Sequence, residues 1–253
     1  MIRGLASHIR AFRLLAADRR IRRLAAVPFA INVGLFLVGV PFAVWGAVSL
    51  IESMLGRLDG IAGVGVVGLK IVAVIGVVIV SVLLFGIIGA AIAGPFSGPL
   101  SEAVERRERE RRGLPPMPAT SRSILTDVTR GLAYALGRLF LFLLVYPLIF
   151  ALQLIPGAGQ ILFTVLAFLY SCFVLSVDFS DPVLDRYVDT FRQKLAWVWR
   201  RKGIYLGFGA GCVALMLVPI VNLVMIPVCV VAGTIVWVGE VEVESRRVQD
   251  TYR

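Results

Sequence analysis

Arg22 and Arg23 stand side by side where a charged stretch gives way to an uncharged, apolar one. Each guanidinium is a planar fork of N–H donors, suited to hold a tetrahedral oxyanion through charge-assisted hydrogen bonds. The same pair also reads as a topology anchor, since basic residues collect at the cytoplasmic border of membrane spans. A second constellation, Gly94-Pro95-Phe96-Ser97-Gly98-Pro99-Leu100-Ser101-Glu102, packs helix breakers, hydroxyls and a carboxylate into the end of another apolar run. Gly98, Ser101 and Glu102 are its candidate pathway residues, because irregular backbone at membrane depth is tolerated where it lines water or protein. The alternative is a plain helix exit with Glu102 in solvent.

Other patterns carry less chemistry. Gly63, Gly65 and Gly68 spell G-x-G-x-x-G, but no strand precedes them and no acidic residue follows at the required distance, so dinucleotide binding is rejected. Asp178, Asp181 and Asp185 border a hairpin end and an amphipathic helix, where acids cap helices or pair with cations. His8 is the only histidine, and Cys172, Cys212 and Cys229 fall inside apolar runs without C-x-x-C spacing. The cysteines read as small core hydrophobes, and no metal or cofactor is expected. No nucleophile, base and orienting group can be assembled, so an enzyme is not expected either.

These residues must be positioned by four uncharged runs, 24–51, 71–101, 139–177 and 203–239, which take up over half of the 253 residues. The hydrocarbon core is ~30 Å thick and a helix rises ~1.5 Å per residue, so about 20 apolar residues cross it and each run is long enough. With 58% of residues hydrophobic and only 17% charged, the chain lacks the polar cover of a soluble core. It reads as an all-α integral membrane protein forming one membrane domain over 1–253. The first run is too long for a signal-peptide core and lacks a small-residue cleavage pattern, so it is a retained span.

The opening stretch, 1–23, reads as a basic interfacial helix, with Leu5, Ile9, Phe12 and Ala16 on one face and Arg3, Arg10 and Arg13 turned away. Asp18 is placed to cap the helix that follows. Runs 24–51 and 71–101 form two long antiparallel spans, and Gly86, Ala90 and Gly94 offer a small-residue face for close packing. Beyond Ser101 the second helix leaves the membrane with Glu105–Arg109 and Glu108–Arg112 paired at i, i+4, and ends at Gly113 and the prolines after it. Runs 139–177 and 203–239 are broken at Pro156-Gly157-Ala158-Gly159 and at Pro219 and Asn222, so each folds as a hairpin with arms of about 16 to 18 residues, or about 24 to 27 Å. Six short spans fit, as do two long spans plus two partially inserted hairpins, and the arm length leans towards the second. Leu184, Tyr187, Val188, Phe191, Leu195 and Val198 hold a helical period, predicting a further interfacial helix anchored by Trp197, Trp199, Arg200, Arg201 and Lys202.

All of the 26 basic residues except Arg57 and Lys70 collect on one side of this arrangement, which places both termini in the cytoplasm. They border membrane segments instead of lining a soluble face, so the partners they suit are anionic lipid head groups or an anionic solute, and not nucleic acid.

Ile21-Arg22-Arg23 with Pro28 and Asn32, the 94–102 motif, Ile155-Pro156-Gly157-Ala158-Gly159-Gln160, Asp181-Pro182, and Val218-Pro219-Ile220-Val221-Asn222-Leu223 through Pro227 to Ala232-Gly233-Thr234 occur in an order that resembles the CysZ-type sulfate permeases and the wider etoposide-induced membrane protein family. The resemblance implies a bacterial inner-membrane, homo-oligomeric protein that admits sulfate for cysteine synthesis. It implies two long spans with two half-inserted hairpins, sulfate contact by Arg22 and Arg23, and a motif that includes Glu102. The competing class is a membrane-organising or interaction protein without transport activity.

Overall fold

A computed structural model describes residues 1–55, 61–117, 124–217 and 219–251. Among them every regular element is helical: α1 (Ile2–Ala17), α2 (Arg19–Leu55), α3 (Ile61–Arg112), α4 (Ile124–Ala151), α5 (Gly159–Tyr187), α6 (Phe191–Arg200), α7 (Lys202–Met216) and α8 (Pro219–Thr251), with a single 3₁₀ turn at Leu152–Leu154. Three stretches are long and apolar enough to cross a membrane, Ala133–Leu154, Gly159–Tyr187 and Met225–Ser245, and shorter apolar stretches lie at Phe36–Leu50, Lys70–Ser81 and Lys202–Met216. The chain divides into two compact units, Met1–Arg22 with Ser97–Arg253, and Arg23–Phe96.

The unit of Arg23–Phe96 holds the membrane portions of α2 and α3. Lys70 Nζ on α3 meets Glu52 Oε1 on α2 at 2.8 Å, which ties the two helices near their connection. Leu37, Phe42, Trp45, Val72 and Val80 stay exposed, as expected of helices whose solvent is lipid. Both helices outrun the expected spans 24–51 and 71–101, since α3 starts at Ile61 and continues unbroken past Pro95 and Pro99 to Arg112. The side chains of Gly86, Ala90 and Gly94 lie outside the described residues. Gly63, Gly65 and Gly68 lie within α3, and a helix gives their spacing no phosphate-cradling turn.

In the other unit α8 is the central helix, buried throughout residues 228–238. A helix apolar all round must be enclosed, and α1, α5 and α7 pack around it. In their most apolar windows, 67% of Met225–Ser245 is enclosed by the chain but only 6% of Ala133–Leu154, so α4 turns Phe140, Leu143 and Leu148 outward. The α1 helix has two working faces. Gly4, Ser7, His8 and Ala11 are buried against α7 and α8, while Leu5, Ile9 and Phe12 remain exposed. The contact is close because Gly4 and Gly207 lack side chains: a Cβ at Gly4 would overlap the Ile204 carbonyl, and one at Gly207 the Met1 carbonyl.

Three expectations change. The first hairpin's arms are 28 and 29 residues long, not 16 to 18, because each helix continues beyond the apolar run 139–177 into polar sequence. Only α7, with 15 residues, is a short arm. The helix expected through Leu184 to Val198 is two helices: α5 ends at Tyr187, Val188 is extended, and Thr190 and Gln193 form a capping box that starts α6.

Candidate functional site

In α3, residues four apart share a face. Gly98, Glu102 and Arg106 lie on the outer side: Glu102 Oε1 accepts from Arg106 Nη2 at 2.9 Å with both side chains about half exposed, and the space around Gly98 is open. Ser101 and Glu105 lie on the inner side, both at 0% exposure. The 94–102 motif therefore serves two surfaces, and of its candidate residues only Ser101 enters the interior.

Glu105 is the hub of that interior. Its Oε1 accepts from Arg109 Nε at 2.8 Å and from the Tyr187 hydroxyl, and its Oε2 from Arg186 Nη2 at 2.6 Å and Nε at 3.2 Å. Four donors saturate a carboxylate. Arg186 Nη2 also donates to Ser101 Oγ at 3.0 Å, and its Nη1 to the Pro182 carbonyl at 2.7 Å. Thr234 on α8 gives its hydroxyl proton to the Val230 carbonyl at 2.9 Å, so at 2.9 Å it accepts from Ser101. The Glu105 carboxylate thus takes hydrogen bonds from two guanidiniums, Arg109 and Arg186. Beside it Trp237 stacks on Tyr187 with ring centroids 5.0 Å apart, and its buried indole Nε1 has no acceptor among the described residues. A buried donor with no acceptor among the described residues is a group that an anion satisfies.

Around the cluster the charges are matched. Arg112 donates to Glu108 Oε2 at 3.0 Å and to Glu242 Oε2 at 2.7 Å. Arg201 lies 3.3 Å over the Trp197 ring and reaches Glu244 Oε2 at 2.8 Å. Lys194, nearly fully buried, bridges Asp181 and Asp185 at 2.6 and 2.8 Å, and Asp178 takes the Tyr134 hydroxyl at 2.7 Å and Arg138 at 2.9 Å. The three aspartates are thus engaged in charge pairing. A cleft of about 530 Å³ adjoins this region, lined among others by Arg3, Arg10, Arg112, Glu240 and Glu242.

Arg22 and Arg23 sit in the first turn of α2 and both are exposed. Asp18 caps this turn, its Oδ1 accepting from Arg20 N at 2.8 Å and Ile21 N at 3.2 Å, and it is ion-paired with Arg107 of α3. Arg22 Nη1 donates to the Ala16 carbonyl at 3.1 Å, and neither arginine meets a carboxylate among the described residues. Both guanidinium groups retain donors for an anion.

Sequence reasoning missed Glu105, Arg186, Tyr187 and Thr234 as one group. Glu105–Arg109 was visible as an i, i+4 pair, but Arg186 arrives from 81 residues away.

A family model described as Sulfate transporter CysZ/Etoposide-induced protein 2.4 matches residues 7–227. Sulfate transporter CysZ of Pseudomonas fluorescens is 30% identical over 230 residues, covering 89% of each chain. Sulfate transporter CysZ of Vibrio parahaemolyticus is 27% identical over 227 residues, covering 89% of this chain and 90% of the relative. Sulfate transporter CysZ of Pseudomonas aeruginosa is 31% identical over 156 residues, and there the chain spans 62% of the relative's length.

Proposed function

We propose that this chain, which belongs to the Sulfate transporter CysZ/Etoposide-induced protein 2.4 family, is a sulfate permease of the bacterial inner membrane that supplies sulfate for cysteine synthesis. The observation that carries this reading is the alignment with a relative named as a sulfate transporter over 89% of both chains. A name of that kind speaks for passage of a solute, over catalysis and over a purely membrane-organising role. The interior of the chain agrees, since the buried Trp237 Nε1 donor beside the Glu105 cluster suits an oxyanion.

Arg22 and Arg23 contact sulfate at the membrane entrance. Gly98 and Glu102 border the path on the outer side of α3, and Ser101 marks its inner side. The whole acts as one membrane domain, with two long spans from α2 and α3 and two hairpins, α4–α5 and α7–α8. Partial insertion suits the second hairpin best, because the 15 residues of α7 make about 22 Å of helix against a core of ~30 Å. Both termini are cytoplasmic. The exposed apolar residues of α4 and α5 are covered by lipid and by further copies of the chain in a homo-oligomer, whose size light scattering in detergent measures.

Liposomes containing only this purified protein should take up radiolabelled sulfate faster than protein-free liposomes, with unlabelled sulfate competing and chloride not. Uptake no faster than in protein-free liposomes would remove the permease reading.

A further inference from the structure

The chain's only histidine and two of its three cysteines come together in the fold, although His8 and Cys212 are 204 residues apart. His8 on α1, Cys212 on α7 and Cys229 on α8 are all buried, and the ligand atoms they offer lie within 4.8 Å of one another. His8 Nε2 is 3.5 Å from Cys212 Sγ. The proposed sulfate path uses none of them, and sequence separation hid them from the expectation of cysteines as plain core residues.

Spacing, orientation and charge all suit a cation. A tetrahedral zinc ion with Zn–S of ~2.3 Å and Zn–N of ~2.0 Å holds its nitrogen and sulfur ligands about 3.5 Å apart and its sulfurs about 3.8 Å apart. The His8–Cys212 spacing already has that value. The Leu5 carbonyl can only accept, so the 3.2 Å contact from His8 Nδ1 carries the ring proton and leaves Nε2 as the lone pair facing Cys212. A hydrogen bond of this type is what fixes the tautomer of a metal-binding histidine. The ring is held in place by Phe208, stacked with centroids 5.3 Å apart, and by Gly211, where any Cβ would overlap the imidazole. Two thiolates and a neutral imidazole cancel the charge of a divalent ion, which removes the main cost of burying it. Soft sulfur donors select zinc over magnesium or calcium.

We infer that His8, Cys212 and Cys229 form a binding site for zinc. On binding, the Cys212 and Cys229 thiols each release one proton to solvent, two Sγ–Zn bonds and one Nε2–Zn bond form, and no electron is transferred. The fourth tetrahedral position remains for water or another donor. The site fastens α1 to the hairpin of α7 and α8.

Cobalt(II) is the spectroscopic probe. The full chain, purified in detergent, reduced and stripped with chelator, should take up one cobalt per chain with a thiolate-to-cobalt charge-transfer band and the intense visible bands of tetrahedral coordination. Equimolar zinc should abolish both and raise the thermal unfolding midpoint. The doubly substituted Cys212→Ser, Cys229→Ser variant should lose the bands, whereas Cys172→Ser should keep them, with circular dichroism confirming that each is folded. The wild-type titration stands by itself if the double variant does not fold. No charge-transfer band in the wild type at stoichiometric cobalt, bands that persist in a folded double variant, or a Cys212–Cys229 disulfide that leaves no metal-binding fraction would each overturn the site.

Discussion

Glu105 accepts from two guanidiniums and is itself fully buried, and removing it takes away the carboxylate that they share. Breaking a buried pair by deleting one partner costs about 3 to 5 kcal/mol, so Glu105→Ala should lower the thermal unfolding midpoint sharply, and Glu105→Gln, which keeps some hydrogen bonds, less so. An Ala variant as stable as the wild type would show that the cluster is open to water. Arg22 and Arg23 are exposed, so their replacement by Ala should leave insertion intact and weaken sulfate binding. A lost hydrogen bond to a charged group costs ~1.5 to 3 kcal/mol, so one lost contact means roughly tenfold or more in affinity, and Lys, lacking the fork, should restore only part. Sulfate titration at fixed ionic strength, with chloride as control, checks this. Asp18 supplies the pH dependence: burial alone would raise its pKa, but the Ile21 and Arg20 amides and the Arg107 guanidinium outweigh it and hold the carboxyl below its ordinary value of 3.8. A group so depressed contributes stability that is complete above its ordinary pKa and fades as pH falls through the lowered folded value. Asp18→Ala should therefore cost about 0.5 to 2 kcal/mol near neutrality, and its deficit against the wild type should shrink in strong acid. The Asp18 cap and the Glu105–Arg109 pair were legible because their partners lie within one helical turn. Arg186 was not, because nothing local marks which distant helix a half-buried arginine will meet.

Among the elements, α1 shows how much one pattern can conceal. Its apolar residues Leu5, Ile9 and Phe12 were read correctly as a face, but they point away from the protein, and the packed face is the small one of Gly4, Ser7, His8 and Ala11. Hydrophobicity alone ranks the wrong side as core, since close backbone approach needs small residues and not apolar ones. Gly4→Leu should detach α1 from α7, because its Cβ meets the Ile204 backbone, which cannot rotate aside. Hydrogen exchange in α1 should speed up markedly while α8 stays protected, and unchanged exchange would argue against this docking. The break between α5 and α6 was also present in the sequence as Thr190-x-x-Gln193, overshadowed by an apolar period that runs through it. The hairpin turn at Gly157, with φ of +79°, followed directly from its Pro-Gly composition.

For the whole molecule, charge asymmetry makes a topological prediction. Cysteines introduced at Glu110 and near residue 250 should react with impermeant reagents only from the cytoplasmic face, the native cysteines being buried. Equal labelling from both faces would mean insertion in two orientations. The apolar runs made a membrane protein evident at once, but helix lengths were underestimated because the helices continue into polar sequence that hydropathy does not register. The central place of α8 has a further consequence, for the order of biosynthesis. Ser101, Tyr187 and Arg112 each find a partner on α8, in Thr234, Trp237 and Glu242. A ribosome delivers that helix after α1 to α7, so Glu105 and Arg186 emerge before their enclosure is finished. The nascent chain must keep these charges wet at the membrane surface until α8 arrives, so closure of this interior waits on α8.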